Sequence, residues 1–144
     1  MFSKACEYAI RATIYVAVQS MMDKNVSLKA VAKEIDSPVA FTAKIMQQLV
    51  RNNIMSSTMG PNGGFKIDRE RIDEVKVSYV VDAIDGNAIY RGCGLGLKEC
   101  DASKPCPLHE KFTKIRSDLE EMLESTSIYE LATGLEIGLT FLKR

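Results

Sequence analysis

Two helix starts and a glycine-rich turn follow one another between residues 27 and 67, and that order leaves few folds open. Ser27 precedes a short run, Leu28 to Ile35, in which Leu28, Val31, Ala32 and Ile35 share one helical face. Asp36-Ser37-Pro38 then interrupts it. Ser37 is suited to cap a second helix, and Pro38 to open it, where a missing N–H costs nothing. That helix is predicted to reach Asn52 and to bury Phe41, Ile45, Met46 and Leu49. Short helices joined this closely make a helix-turn-helix pattern. Ile54 to Thr58 and Phe65 to Ile67 are β-prone, and the tip Met59-Gly60-Pro61-Asn62-Gly63-Gly64 joins them as a hairpin in the position of a wing. A hairpin that merely pads the core is the plainer reading of the same residues.

The flanking segments are helical by period. From Ala5 to Met22 the positions Ala9, Ile10, Thr13, Ile14, Ala17 and Val18 recur at helical spacing, and residues 72–86 predict another helix ending at Gly86. A longer helix begins near Pro107. Its Leu108, Phe112, Ile115, Leu119 and Met122 alternate four- and three-residue steps, an a/d seam that points to a homodimer; packing on its own domain is the alternative. Charged residues, Arg116 among them, take the other faces. A last helix carries Ile128, Leu131, Leu135, Leu139 and Leu142. The expected fold is mainly α with a small β-hairpin wing: a winged helix-turn-helix plus a long dimerisation helix. Residues 1–86 would form the winged-helix DNA-binding domain, 87–107 a cysteine-rich loop, and 108–144 the dimerisation and C-terminal helices.

Charge supports that division. Residues 1–72 carry ten Lys/Arg against six Asp/Glu, and residues 73–144 nine against thirteen. A mildly basic first half suits a phosphate-facing module. No apolar run is long enough to span a membrane. Glu7 and Arg11 interrupt the N-terminal apolar stretch and no small-residue cleavage site follows, so a structured helix and a cytoplasmic location are expected. A single histidine, no Ser/His/Asp grouping and no phosphate-cradling motif argue against an enzyme.

In a cytoplasmic protein clustered cysteines are more often ligands or redox groups than disulfides. Cys93, Cys100 and Cys106 lie in a segment without periodicity, and His109 follows closely. Thiolates are soft ligands for zinc or iron–sulfur clusters. Gly92, Gly94 and Gly96 would let the backbone approach a bulky centre, while Pro105 and Pro107 fix the entry to the long helix, whose dipole favours a Cys106 thiolate. Zinc sites usually pair ligands at close spacing, which only Cys106 and His109 offer here. Metal-free thiol switching is the third reading. Cys6 is expected to be buried in the first helix.

These features in this order resemble the iron–sulfur winged-helix transcription regulators of the IscR and NsrR type. The resemblance is carried by Glu7-Tyr8-Ala9-Ile10-Arg11-Ala12, by Phe41 and Lys44 to Leu49, and by the wing Ser57 to Phe65. Cys93-Gly94-Leu95-Gly96, Cys100 and Cys106-Pro107-Leu108-His109 complete it. It implies a homodimer on a palindromic double-stranded DNA operator, responding to redox, nitric oxide or iron status. Each subunit would hold a [2Fe–2S] or [4Fe–4S] cluster on Cys93, Cys100 and Cys106, which oxygen commonly removes from exposed sites. The fourth ligand would be His109 or Glu7 from the partner subunit. DNA-facing positions would be Ser37, Pro38, Ala40, Phe41 and Lys44, with Thr58, Met59, Gly60, Pro61 and Asn62 at the wing. The family often has Arg or Lys where this wing has Met59; a cation there suits a narrow, electronegative minor groove, so the departure implies altered wing readout.

Overall fold

The computed structural model describes residues 1–143; Arg144, the last residue of the C-terminal segment, lies outside the described residues. The chain forms α1 (Lys4–Met21), α2 (Leu28–Ile35), α3 (Val39–Arg51), β1 (Ser56–Thr58), β2 (Gly64–Lys66), α4 (Val77–Asp85), α5 (Ala88–Arg91), α6 (His109–Ser125) and α7 (Ile128–Glu136). This is the expected helical fold with one antiparallel hairpin. No helix among the described residues is long and apolar enough to cross a membrane.

α1 is the axis of the core, packing against α2, α3, α4, α7 and β2. Its buried positions include Ala9, Ala12 and Ala17, small enough for neighbouring backbones to come close, and Cys6 is fully buried beside them. Ser3 caps the helix by accepting the Cys6 N–H at 3.1 Å, and its own N–H donates to Asp85 at 2.9 Å, so α4 holds the start of α1.

In the helix-turn-helix, Ser27 Oγ caps α2 by accepting the Ala30 N–H at 3.2 Å, and Val31, Ala32 and Ile35 are buried. Asp36 makes the turn in the left-handed region (φ 53°), a conformation that short polar side chains tolerate. The expected Ser37 cap is corrected. Pro38 occupies the capping position, no side chain caps α3, and Ser37 Oγ is enclosed without a hydrogen-bond partner among the described residues. Phe41 is corrected too: it lies at the surface, and Thr42 is buried instead, its hydroxyl donating to Pro38 O at 2.9 Å. Ile45, Met46 and Leu49 fill the core as read.

The wing is fastened to this head. Ser57 pairs with Phe65 in the hairpin, and Val26 exchanges both backbone hydrogen bonds with Phe65, at 2.9 and 2.7 Å. Ser20, buried on α1, accepts the Ile67 N–H at 3.0 Å. A third strand position at Val26 was hidden in sequence by the polar Asp23-Lys24-Asn25 break before it.

Two helix ends differ from the sequence reading. α4 starts at Val77, not near Ile72, because residues 75–77 pair in extended form with residues 126–128. Ile128 N–H reaches Val75 O at 2.8 Å and Val77 N–H reaches Thr126 O at 3.0 Å. Ile72, from a turn, and Val75, from the extended stretch, still enter the core. α7 stops at Glu136. Gly138 turns left-handed (φ 76°), the amides of Leu139 and Thr140 return to Gly134 O, and Leu139 and Leu142 are left exposed outside the helix. α7 packs on α1, so after α6 the chain rejoins the core.

Gly64 is where wing and head touch most closely. Its φ of +133° excludes most side chains, and a Cβ there would sit 2.6 Å from Val26 O. Gly64→Ala should destabilise the fold by about 2 kcal/mol or more, read as a lowered urea midpoint. An unchanged midpoint would show that the wing is not anchored through Val26.

Candidate functional site

α6 carries two stripes. On one, His109, Phe112 and Arg116 follow each other at three- and four-residue steps and meet the cysteine loop. Cys100 Sγ lies 3.5 Å from His109 Nδ1 and accepts from Arg116 Nη2 at 3.3 Å. Arg116 Nη1 donates to Gly92 O, next to Cys93. The Phe112 ring lies against Gly94, where a Cβ would come within 2.7 Å of it. That contact, rather than a left-handed turn, is what requires glycine at 94. The other stripe is Leu108, Ile115 and Met122. All three are exposed, Ile115 by 61%, while Leu119 leans onto the core and Phe112 onto the loop. The a/d seam read from sequence is therefore split: its d positions point outward, and both a positions serve the chain's own fold.

The loop is ordered by short local contacts. Cys93 is faced by backbone amides, chiefly of Leu95 and Leu97, then of Gly96; with the Arg116 charge these hold its thiol below the usual thiol range. Asp101 accepts from the amide and hydroxyl of Ser103, at 2.8 and 2.6 Å, turning the chain between Cys100 and Cys106. Cys106 O accepts the His109 N–H at 3.0 Å, which seats the start of α6. All four cysteines are free thiols. The loop brings Cys100, His109 and Arg116 together. Among the described residues no three His, Cys, Asp or Glu side chains stand placed to hold a metal ion. Glu7, on α1, is an exposed carboxylate 3.1 Å from Lys4 Nζ. Buried Cys6 is set apart chemically: burial above all, with help from Asp85 and Glu7, pushes its thiol up to about 12.

On the head, Pro38, Ala40, Phe41 and Lys44 are exposed at the open start of α3. Phe41 meets Tyr8 edge-on, with ring centroids 5.8 Å apart, and Arg11 lies over the same Tyr8 ring at 4.9 Å. Ser37 is half-buried. Thr58, Met59, Gly60, Pro61 and Asn62 form an exposed wing tip, Met59 almost wholly in solvent, and Asn62 O accepts from Asn25 Nδ2 at 2.9 Å. Sequence reasoning missed Gln47 and Gln48, which share the outer face of α3 with Lys44 and carry amides able to pair with base edges. Their spacing from Ala40 and Lys44 was the available signal. It also placed Arg116 on a solvent face, although its step of seven from His109 pointed to the loop.

A capped α2, an open α3 and a pinned wing define a winged-helix protein. The family model described as "Rrf2: Iron-dependent Transcriptional regulator" matches residues 2–134, and the chain belongs to that family. It is 29% identical over 133 residues to a protein of Aquifex aeolicus (strain VF5) provisionally named an HTH-type transcriptional regulator, covering 91% of this chain and 90% of that one. It is 25% identical over 130 residues to the HTH-type transcriptional regulator IscR of Photorhabdus laumondii, covering 90% and 77%. Among solved structures, T. potens IscR superposes with a TM-score of 0.75 at 19% identity, over 99% of this chain and 93% of that one. CymR, the global cysteine regulator of B. subtilis, gives 0.74 at 18% identity, over 92% and 96%. These structures share the fold. With the family and the curated relatives named as transcriptional regulators, the chain is a regulator and not an enzyme.

Tyr90 closes the corner where the loop leaves α5, its hydroxyl donating to the Asp82 carboxylate. Burial first, then that bond and the Asp82 charge, push its pKa up to about 12. The raised value stabilises the fold fully below the ordinary tyrosine pKa of about 10, a contribution lost as pH rises through about 12. In an alkaline ultraviolet titration one tyrosine of the five should ionise last, and Tyr90→Phe should remove that step. A wild-type titration with no late step would contradict this.

Proposed function

We propose that the chain is a homodimeric DNA-binding regulator whose operator binding is modulated by an iron–sulfur cluster on Cys93, Cys100 and Cys106. The observation that carries the reading is the seating of the three-thiol loop on α6, the helix that also bears the outward stripe Leu108, Ile115 and Met122. The donors suit such a group: soft sulfurs on one segment, with amides of Leu95, Gly96 and Leu97 facing Cys93 as amides do around charged sulfur ligands. Either His109, already beside Cys100, or the exposed Glu7 of a partner subunit would complete the set. When bound, the cluster supplies a centre that oxidants, nitric oxide or iron shortage alter. The protein's own part is to hold the loop on α6 and to aim two heads.

Residues 1–86 act as the DNA-binding head, 87–107 as the sensing loop, and α6 as the dimer helix. The uncapped start of α3 offers free amides to a phosphate, while Lys44, Gln47 and Gln48 face the major groove. Exposed Met59 gives the wing tip an apolar contact where a cation would strengthen minor-groove binding. Burying the outward stripe on two copies is worth roughly 5–10 kcal/mol, comparable to the cost of association. The stripe alone is thus marginal. At Met122 it runs into an apolar cleft of about 190 Å³ lined by Ile10, Val77 and Leu131, which extends the surface two copies would share.

A second reading, metal-free thiol switching, is favoured by the imidazole and guanidinium against Cys100. Anaerobic reconstitution with iron and sulfide separates the two. The cluster reading predicts a brown protein with visible absorption, colourless when Cys93, Cys100 and Cys106 are all changed to Ala. A wild-type protein that stays colourless would leave only thiol switching or zinc. Ile115→Asp tests the dimer: sedimentation equilibrium should show self-association weakened on the order of a hundredfold with the helical signal intact. A variant as dimeric as the parent would remove the outward stripe from the interface.

A further inference from the structure

Arg116 binds two parts of the cysteine loop with one side chain. Its Nη1 holds Gly92 O beside Cys93, and its Nη2 reaches Cys100 Sγ at 3.3 Å. Its helix neighbour Ile115 is the most exposed member of the outward stripe. A planar guanidinium can make both contacts at once; a lysine ammonium, a compact point charge, cannot span them in the same way. We propose that Arg116 is the positioning residue through which the chemical state of Cys100 is felt by α6. The inference rests on the reading of the cysteine loop as the sensing element, but not on which group the sulfurs bind.

The argument follows from what the sulfur can offer. A free Cys100 sulfur accepts from Nη2 and keeps the fork engaged at both ends. A sulfur committed to a new bond, to metal or to carbon, changes shape and accepting power at that end only. Gly92 O is untouched and Nη2 keeps only Thr113 Oγ1 of α6 itself, at 3.4 Å, so the guanidinium holds the loop at one point and α6 loses a tie to it. His109 and Phe112 lie on the same stripe, two turns and one turn N-terminal to Arg116, so the loss falls along the half of α6 that follows Leu108 and carries Ile115. The surface ion pair Arg91–Glu120, 3.2 Å long and exposed, is too weak to substitute for that tie.

The test uses the full-length reduced protein with Cys93→Ser and Cys106→Ser, so that Cys100 is the accessible thiol and Cys6 stays buried. Iodoacetamide serves as the probe, its methylene carbon bonding to the Cys100 sulfur as iodide leaves and the thiol proton passes to solvent. Hydrogen exchange across 109–125 is read before and after. In the Arg116 parent, alkylation should speed that exchange by about fivefold, the lower end of ordinary coupling between sites. In Arg116→Gln and in the charge-preserving Arg116→Lys, exchange should be the same before and after. A merely structural arginine would lower the thermal midpoint of the variants yet leave their response to alkylation at the parental size, and that result would overturn the proposal. So would a parent whose α6 ignores alkylation. The cluster reading fails separately: a protein that never colours on reconstitution, but whose α6 answers to Cys100 through Arg116, keeps this inference and loses that one.

Discussion

The close approach that small side chains allow on α1 is the constraint on which the rest of the molecule depends. Ala9, Ala12 and Ala17 are fully buried, and four other helices and the second strand of the hairpin reach this one helix. Interior packing is dense enough that a single added methylene is felt. The helix-turn-helix, the wing, and the helices α4 and α7 that flank α6 in the chain are thus referred to a common rigid element. Asp85 at the end of α4 grips Ser3 at the start of α1, and Ser20 near its far end grips the strand leaving the wing. A displacement of α4 or α7 against α1 has no slack in which to dissipate before it reaches α2 and α3.

α6 is the exception to this density, with Leu123 its one fully buried residue. Its hold on the molecule comes from that residue, from Leu119, and from the grip of His109, Phe112 and Arg116 on the loop. A helix that packs on α4 and α5 and also grips a thiol-bearing loop is a natural place for a signal to enter. Local elements with few buried contacts open at low free energy, and switching elements are drawn from them. The outward line of Leu108, Ile115 and Met122 gives such a movement something to act on.

The parts of this architecture fixed by local chemistry were legible in the sequence. Ser27 as a cap, α2 from Leu28 to Ile35, the glycine-rich tip and the stop at Gly86 all follow from short-range preferences that tertiary structure did not oppose. The misreadings share a cause. Ile72 and Val75 have helical spacing, but their backbone is spent on pairing with residues 126–128, a contact across the chain that no local pattern announces. Phe41 fits a core stripe by period, and Tyr8 of another helix draws it to the surface. Ser37 was read as a cap from its place before a proline; the chain enters α3 one residue later and encloses the hydroxyl. At the site, the cysteines were visible as residues, whereas the role of Arg116 was not. A charged side chain on an amphipathic helix looks like solvent surface until the loop folded against it is seen.

The proposed regulator would join a loop whose thiols change chemically, the helix that grips it, and two heads matched to the spacing of an operator. In that proposal the state of the loop governs the heads. The direct measurement is the affinity of the anaerobically reconstituted protein for an operator selected from random duplexes, set against the same preparation stripped of iron by a chelator. Both would be measured at one ionic strength, since phosphate contacts make affinity steeply salt-dependent. The dissociation constants should differ by about fivefold or more between the two states. Equal constants, in a protein shown to have gained and lost its colour, would contradict it.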